Sequence, residues 1–208
     1  MHVPEVLIHS AWFGEAPIPS LLKRCMATWS DFDVSLVTNH LDWRAVPYVA
    51  EAVEAGNWAA VSDYVRLSLL WQFGGAWLDV DVEIVRPTDF ATIAFAVHET
   101  KKLVVGMEDE QWCCNAVILA PARHPTIGHL LDQYNAMHYS DTFNGTVTGA
   151  TLLTDAVQMT EEDLVQVVRP DVFYPWHWRD KHRTEPWKRD RMTTHTVCAH
   201  HWAGSWVK

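Results

Sequence analysis

Several things are scarce in this sequence, and each scarcity narrows what the chain can be. Its four cysteines, Cys25, Cys113, Cys114 and Cys198, contain no C-x-x-C pair. A disulfide framework or a zinc site is therefore not expected, and the thiols read as core residues in a reducing compartment. No stretch approaches the roughly 18–20 continuous apolar residues of a membrane helix, so no integral membrane segment is expected. The N-terminus lacks a basic segment leading into an apolar run and a cleavage site. The expected location is cytoplasmic, with at most peripheral contact with a membrane.

Positive charge is scarce too. Sixteen Lys and Arg face 26 Asp and Glu, a formal net charge of −10. Such a chain is a poor generic binder of nucleic acid, whose affinity rests on phosphate neutralisation. Much of the positive charge is concentrated, however. Arg179, Lys181, Arg183, Lys188, Arg189 and Arg191 lie in one segment, broken only by Asp180, Glu185 and Asp190. Segment 179–191 is either a solvated loop or a place to meet a phosphate-bearing partner, lipid or nucleic acid included.

Aromatic residues, by contrast, are abundant. Twelve tryptophans in 208 residues suit a chain that handles sugars and nucleotides, which offer flat faces to an indole. Length and an apolar content of 49% fit a single globular domain over residues 1–208.

Strand and helix patterns alternate along the chain. Val6–Ile8 reads as a buried strand, Pro17–Trp29 as a helix, Val34–Thr38 as a strand and Trp43–Ala55 as a helix. A helical pattern beginning near Ser62 runs to Gly74-Gly75. Ala76–Leu78 then reads as a strand delivering Asp79-Val80-Asp81, continued by Val82–Val85 and stopped by Pro87. Phe95–Val97, Leu103–Val105, Ala116–Leu119 and Thr194–Cys198 read as further strands, and Pro125–His138 and Gly149–Met159 as helices. The alternation predicts an α/β sandwich with a mostly parallel central sheet.

Three groups of residues carry candidate chemistry. On an ideal strand Asp79 and Asp81 point the same way, so both can face one hard cation such as Mn²⁺ or Mg²⁺. Asp63 and Arg66 lie one helical turn apart and can pair; they form either a surface ion pair or a clamp for sugar hydroxyls. The tail, His200-His201-Trp202-Ala203-Gly204-Ser205-Trp206, offers an imidazole as a third ligand and a loop able to reach a diphosphate.

Ser62-Asp63-Tyr64-Val65-Arg66 through Phe73-Gly74-Gly75-Ala76-Trp77-Leu78-Asp79-Val80-Asp81 resembles the signature of the Asp-x-Asp sugar transferases of glycosyltransferase family 32 and of large glucosylating bacterial toxins. Ile8-His9-Ser10-Ala11-Trp12-Phe13-Gly14 resembles the family's N-terminal segment. Asn115, His124-Pro125, Phe173-Tyr174-Pro175 and His200-His201-Trp202 resemble later ones. Thr148-Gly149 resembles a Thr-Gly-Pro step in which Ala150 replaces the proline.

The resemblance implies a GT-A fold and a retaining hexosyltransferase with Asp63, Arg66, Asp79 and Asp81 as catalytic residues. It implies Mn²⁺ or Mg²⁺ on Asp79, Asp81 and a C-terminal histidine, His200 rather than His201. Donor contacts would come from Trp12 on the base, from Trp77 and Asn115, and from Gly204, Ser205 and Trp206 over the diphosphate. The implied partners are a nucleotide-sugar donor, UDP- rather than GDP-linked, and a glycan or other hydroxyl acceptor. Asp155 is a minor candidate near the acceptor, though it also reads as a solvated helix residue.

The competing readings are an inactive carbohydrate-binding protein, a glycosidase and a haloacid-dehalogenase-like phosphatase. A glycosidase needs its two carboxylates across a bond rather than side by side. The phosphatase expects Thr or Val where Glu83 stands.

Overall fold

A computed structural model describes residues 6–139 and 149–204. The core element is a six-stranded sheet in the order β2-β1-β3-β6-β5-β7. It is formed by β1 (Leu7–Ala11), β2 (Asp33–Val37), β3 (Gly75–Leu78), β5 (Leu103–Met107), β6 (Cys113–Ala120) and β7 (Val165–Val168). Five strands run the same way, and β6 runs against both of its neighbours. A two-stranded antiparallel ribbon of β4 (Val82–Ile84) and β8 (Cys198–His200) stands beside it. The mostly parallel sheet expected from the sequence is present.

Strand alternation builds two apolar layers. Leu103, Val105, Trp77 and Ile118 face one side, where they meet α2 (Pro47–Glu54), α3 (Trp58–Phe73), α5 (Pro125–Ala136) and α6 (Gly149–Gln158). Ile8, Ala76, Leu78, Val104, Val117 and Leu119 face the other. There they meet Trp29, which follows α1 (Ser20–Ala27), Phe90 and Val97 of α4 (Pro87–Thr100), and Phe173 of α7 (Pro170–Phe173). The result is an α/β/α sandwich. No helix among the described residues is long and apolar enough to cross a membrane.

Several local expectations need correction. Phe95–Val97 lies inside α4, not in a strand. Pro87 sits in the helix's first turn, where its missing N–H costs nothing, so it starts an element as well as ending one. Helix α3 begins at Trp58, ahead of Ser62, because the Asn57 side chain accepts the Ala60 N–H at 3.1 Å and caps it. The last strand is Cys198–His200, beyond the stretch proposed from Thr194. Thr196 spends its hydroxyl on the Asp171 carbonyl instead.

Two glycines set the junction that aims the acidic pair. Gly74 (φ +67°) ends α3, and Gly75 (φ +94°) opens β3 against β1. A Cβ on Gly75 would lie 2.4 Å from the Leu7 carbonyl oxygen. His9 donates from Nε2 to the Gly74 carbonyl at 3.0 Å, and Ser10 Oγ donates to Leu78 O at 2.7 Å, fixing β1 along the same edge. Gly75→Ala combines a left-handed backbone with a backbone clash. It should lower unfolding free energy by at least about 2 kcal/mol in urea titrations, whereas Gly56→Ala, whose surroundings are open, should cost less.

Candidate functional site

The carboxyl ends of parallel strands are where α/β sheets gather ligands. At the end of β3 the chain does not continue straight, as the sequence reading supposed. Asp79 to Val82 form a turn closed by Val82 N–H to Asp79 O at 2.9 Å. The two carboxylates still converge, with the turn rather than strand pleating bringing them together. Asp79, Asp81 and His200 each offer a ligand atom, all within 4.8 Å of one another.

Each member is held separately. Asp81 receives His200 Nε2 at 3.1 Å and the Ala203 N–H at 2.7 Å, while its backbone carbonyl takes the His201 N–H at 3.0 Å. The tail is thus stitched onto the turn across more than a hundred residues of sequence. Register puts Val82 opposite His200 in the β4–β8 ribbon, which aims the imidazole at Asp81. Trp202 backs that ring at 4.1 Å between centroids. His201 turns away to Glu83 Oε2 at 3.0 Å. Of the two adjacent histidines, only His200 reaches the acidic pair.

Arg66 joins the second group of residues to the first. It is buried, at 4% exposure, and lies 3.1 Å from Asp63 Oδ1 and 3.5 Å from Asp79 Oδ1. It also donates to the Asn115 carbonyl and sits 5.1 Å above the Trp77 ring centre. Asn115 Nδ2 donates to Asp63 Oδ1 at 2.9 Å. A Cβ at Gly149 would lie 2.3 Å from that Asn115 nitrogen and 2.6 Å from the Asp63 carboxylate, so α6 starts there only as glycine.

Burial dominates the electrostatics. It pushes Asp63 up to about 6, with Asp79 adding to the rise and Arg66, Asn115 and the Gly149 amide opposing it. It pushes Asp79 up as well, opposed by Arg66 and reinforced by the Asp81 charge. Asp81 goes the other way: burial is outweighed by His200 and by the hydrogen bonds it accepts, so it stays ionised. His200 is correspondingly held well above its usual value, with the Asp81 charge and hydrogen bond overcoming burial. Carboxylates crowded at such a cost, beside an imidazole, are a donor set suited to Mn²⁺ or Mg²⁺.

The remaining expected residues divide. Trp77 is not a wall open to a donor: it is 1% exposed, Arg66 covers its ring, and its Nε1–H donates to Asp79 Oδ1 at 2.7 Å. Core packing against α3 claims its ring and leaves only the N–H for the site. Trp12 is half-buried at the end of β1, its indole donating to Ala16 O at 2.8 Å. Gly204 follows the tail (φ +59°); Ser205, Trp206 and Thr148 lie outside the described residues. Asp155 is exposed on α6.

One group was missed. Glu108, Asp109 and His177 also converge within 4.8 Å. His177 Nδ1 accepts the Arg179 N–H, and its Nε2 lies 3.7 Å from Asp109. Nothing in the spacing of 108, 109 and 177 marked the group.

A family model described as the TcdA/TcdB catalytic glycosyltransferase domain matches residues 36–120, a span holding Asp63, Arg66, Asp79, Asp81 and Asn115. The chain is a glycosyltransferase. Its GT-A fold is shared with solved structures of low sequence identity. The transferase superposes on "PaToxG Glycosyltransferase" with a TM-score of 0.53 at 15% identity, covering 74% of this chain and 69% of that one. It superposes on mouse xyloside xylosyltransferase 1 with 0.53 at 11%, covering 94% and 97%. For a glycosyltransferase described as involved in glycosylation of the major capsid of PBCV-1, the values are 0.50 at 10%, covering 97% and 96%. No curated protein sequence matches the transferase.

Two outcomes follow from the geometry. Trp77→Phe keeps the buried ring and removes the hydrogen bond to Asp79. It should weaken Mn²⁺ binding by about 10-fold or more in calorimetry while costing under about 1.5 kcal/mol of stability. Asp63 titrates at about 6 in the fold against 3.8 for a free side chain, so between those values the native state holds a proton that the unfolded chain has lost. The stability from this group is complete below the lower value and is lost as pH rises through the upper one. In EDTA, urea midpoints of the wild-type protein should carry this decline, and Asp63→Asn should lack it.

Proposed function

We propose that residues 1–208 act as one metal-dependent transferase domain moving a hexose from a nucleoside-diphosphate sugar, UDP- in preference to GDP-linked, to a hydroxyl acceptor with retention of configuration. The observation that carries this reading is the convergence of Asp79, Asp81 and His200 within 4.8 Å at the carboxyl end of β3. A divalent cation held by these three, Mn²⁺ or Mg²⁺, would supply charge stabilisation for the departing diphosphate.

The protein's own groups supply the rest. Arg66 is kept protonated against its burial by Asp79 and Asp63, so a fixed positive charge faces the site. Asp63, steadied by Asn115 and Arg66, accepts hydroxyl donors from the sugar. Trp77 acts through Asp79 by fixing the carboxylate rotamer. Trp12, half-exposed at the end of β1, offers its face to the base, and the diphosphate contacts are assigned to Gly204 and to Ser205 and Trp206, which lie outside the described residues. No side chain is assigned as a covalent nucleophile. The acceptor oxygen bonds to the anomeric carbon as the sugar–phosphate bond breaks, and its proton passes to the leaving phosphate. Four free, buried cysteines favour a reducing, cytoplasmic setting.

The test is nucleotide release from a panel of UDP- and GDP-hexoses with Mn²⁺, with EDTA and in Asp81→Asn. Release from one donor should fall at least about 100-fold with EDTA and with the substitution. No release and no calorimetric donor binding in Mn²⁺ would leave a carbohydrate-binding protein instead.

A further inference from the structure

The basic segment folds into a defined surface beside the acidic cluster. It comprises Trp178–Asp180 and α8 (Glu185–Arg191). Segment 179–191 holds six cations against three carboxylates in a chain of net charge −10, so positive charge is segregated here. Five of the six, Arg179, Lys181, Arg183, Arg189 and Arg191, are exposed. Among the described residues, only Arg183 (to Asp180, 3.8 Å) and Arg189 (to Glu83, 3.7 Å) reach a carboxylate.

Three chains of contacts run from this segment to the residues around the acidic cluster. Arg189 meets Glu83, which holds His201, whose N–H binds the Asp81 carbonyl. Lys188, buried at 5% exposure, caps the Trp176 ring at 5.4 Å, and that ring packs on His201 at 5.3 Å. From the other end, tilted ring contacts run from Trp178 to His177 at 5.2 Å, from His177 to Trp202 at 6.5 Å, and from Trp202 to His200 at 4.1 Å.

Three of the arginines sit over indole rings. Arg183 and Arg191 both lie over Trp187, 5.4 and 4.8 Å from its ring centre, and Arg179 lies over Trp178 at 5.2 Å. This arrangement distinguishes among polyanions. A membrane-binding helix needs an apolar face free to insert, whereas Trp187 is half-buried and covered by two guanidiniums. Guanidiniums held over indoles put phosphate-binding charge beside aromatic groups, the combination that holds single strands.

We propose that the 178–191 surface binds the phosphodiester backbone and bases of a single-stranded nucleic acid. This binding function goes beyond the transferase reading above and stands independently of it.

The test is fluorescence anisotropy of labelled oligothymidylate with the full chain in EDTA, run beside donor nucleotide release in Mn²⁺. Wild-type protein should bind with a log Kd that climbs about two units per log unit of salt, as expected if about three phosphates are neutralised. Combined Arg179→Glu, Arg183→Glu and Arg191→Glu should weaken binding at least 10-fold and leave nucleotide release within about 2-fold, which also reports intact folding. Lys101→Glu with Lys102→Glu, at the amino end of β5, should change neither. Arg183→Lys with Arg191→Lys keeps the charge but should still lose about 3-fold or more; unchanged binding would overturn the role of the guanidinium–indole pairs. Equal affinity of wild-type and triply reversed protein would overturn the proposal. So would equal or tighter binding of phosphatidylserine vesicles or polygalacturonate. Nucleotide release missing throughout would count against the transferase reading alone, because the binding arm uses no donor.

Discussion

The buried guanidinium of Arg66 is the constraint around which the site is organised. A charge removed from water must be compensated at close range, and here the compensation is divided between Asp63 on the same helix and Asp79 in the turn after β3. That division fixes the distance between α3 and the end of β3. It also claims the Asn115 carbonyl and the face of Trp77, bringing β6 and the core into the same arrangement. Remove the cation and two partly buried carboxylates face each other with only the Asn115 amide and the Trp77 N–H to steady them.

The second half of the site is built from far along the chain. Strand β3 alone would leave Asp81 as a buried charge. The tail resolves this by supplying an imidazole and two backbone amides, one to the carboxylate and one to the carbonyl. The same short ribbon presents His201 to Glu83, so two histidine–carboxylate pairs lie side by side with separate tasks. One pair faces the cluster. The other ties it to α8.

Much of this was legible in the sequence because it rests on local rules. Gly74-Gly75 marked the helix end, the apolar triplet before Asp79 marked a strand, and the three-residue step from Asp63 to Arg66 placed both on one helix face. What was not legible depended on tertiary choices. Phe95–Val97 is as apolar as a strand, yet it lies inside α4 with only Val97 of the three buried against the second layer, while Phe95 faces outward. Trp77 matches a donor-contacting position in pattern, yet strand alternation points it into the core, where its N–H rather than its ring serves the site. The group of Glu108, Asp109 and His177 is assembled from two elements with no shared spacing.

Strand β6 has a consequence of its own. It runs against both neighbours, so its beginning, not its end, lies at the rim with the ends of β3 and β5. Side chains alternate along each half of it, but the phase breaks in the middle: Cys114 and Ala116 face the second core, and so do Val117 and Leu119, while Cys113, Ile118 and Ala120 face the first. The break falls where the register with β5 steps from Val105↔Ile118 to Gly106↔Cys114, skipping residues 115–117. Asn115 stands in that irregular stretch, where it meets Asp63. The strand thus packs on one phase at its start and on another beyond the break, and the residue that serves the site sits at the change.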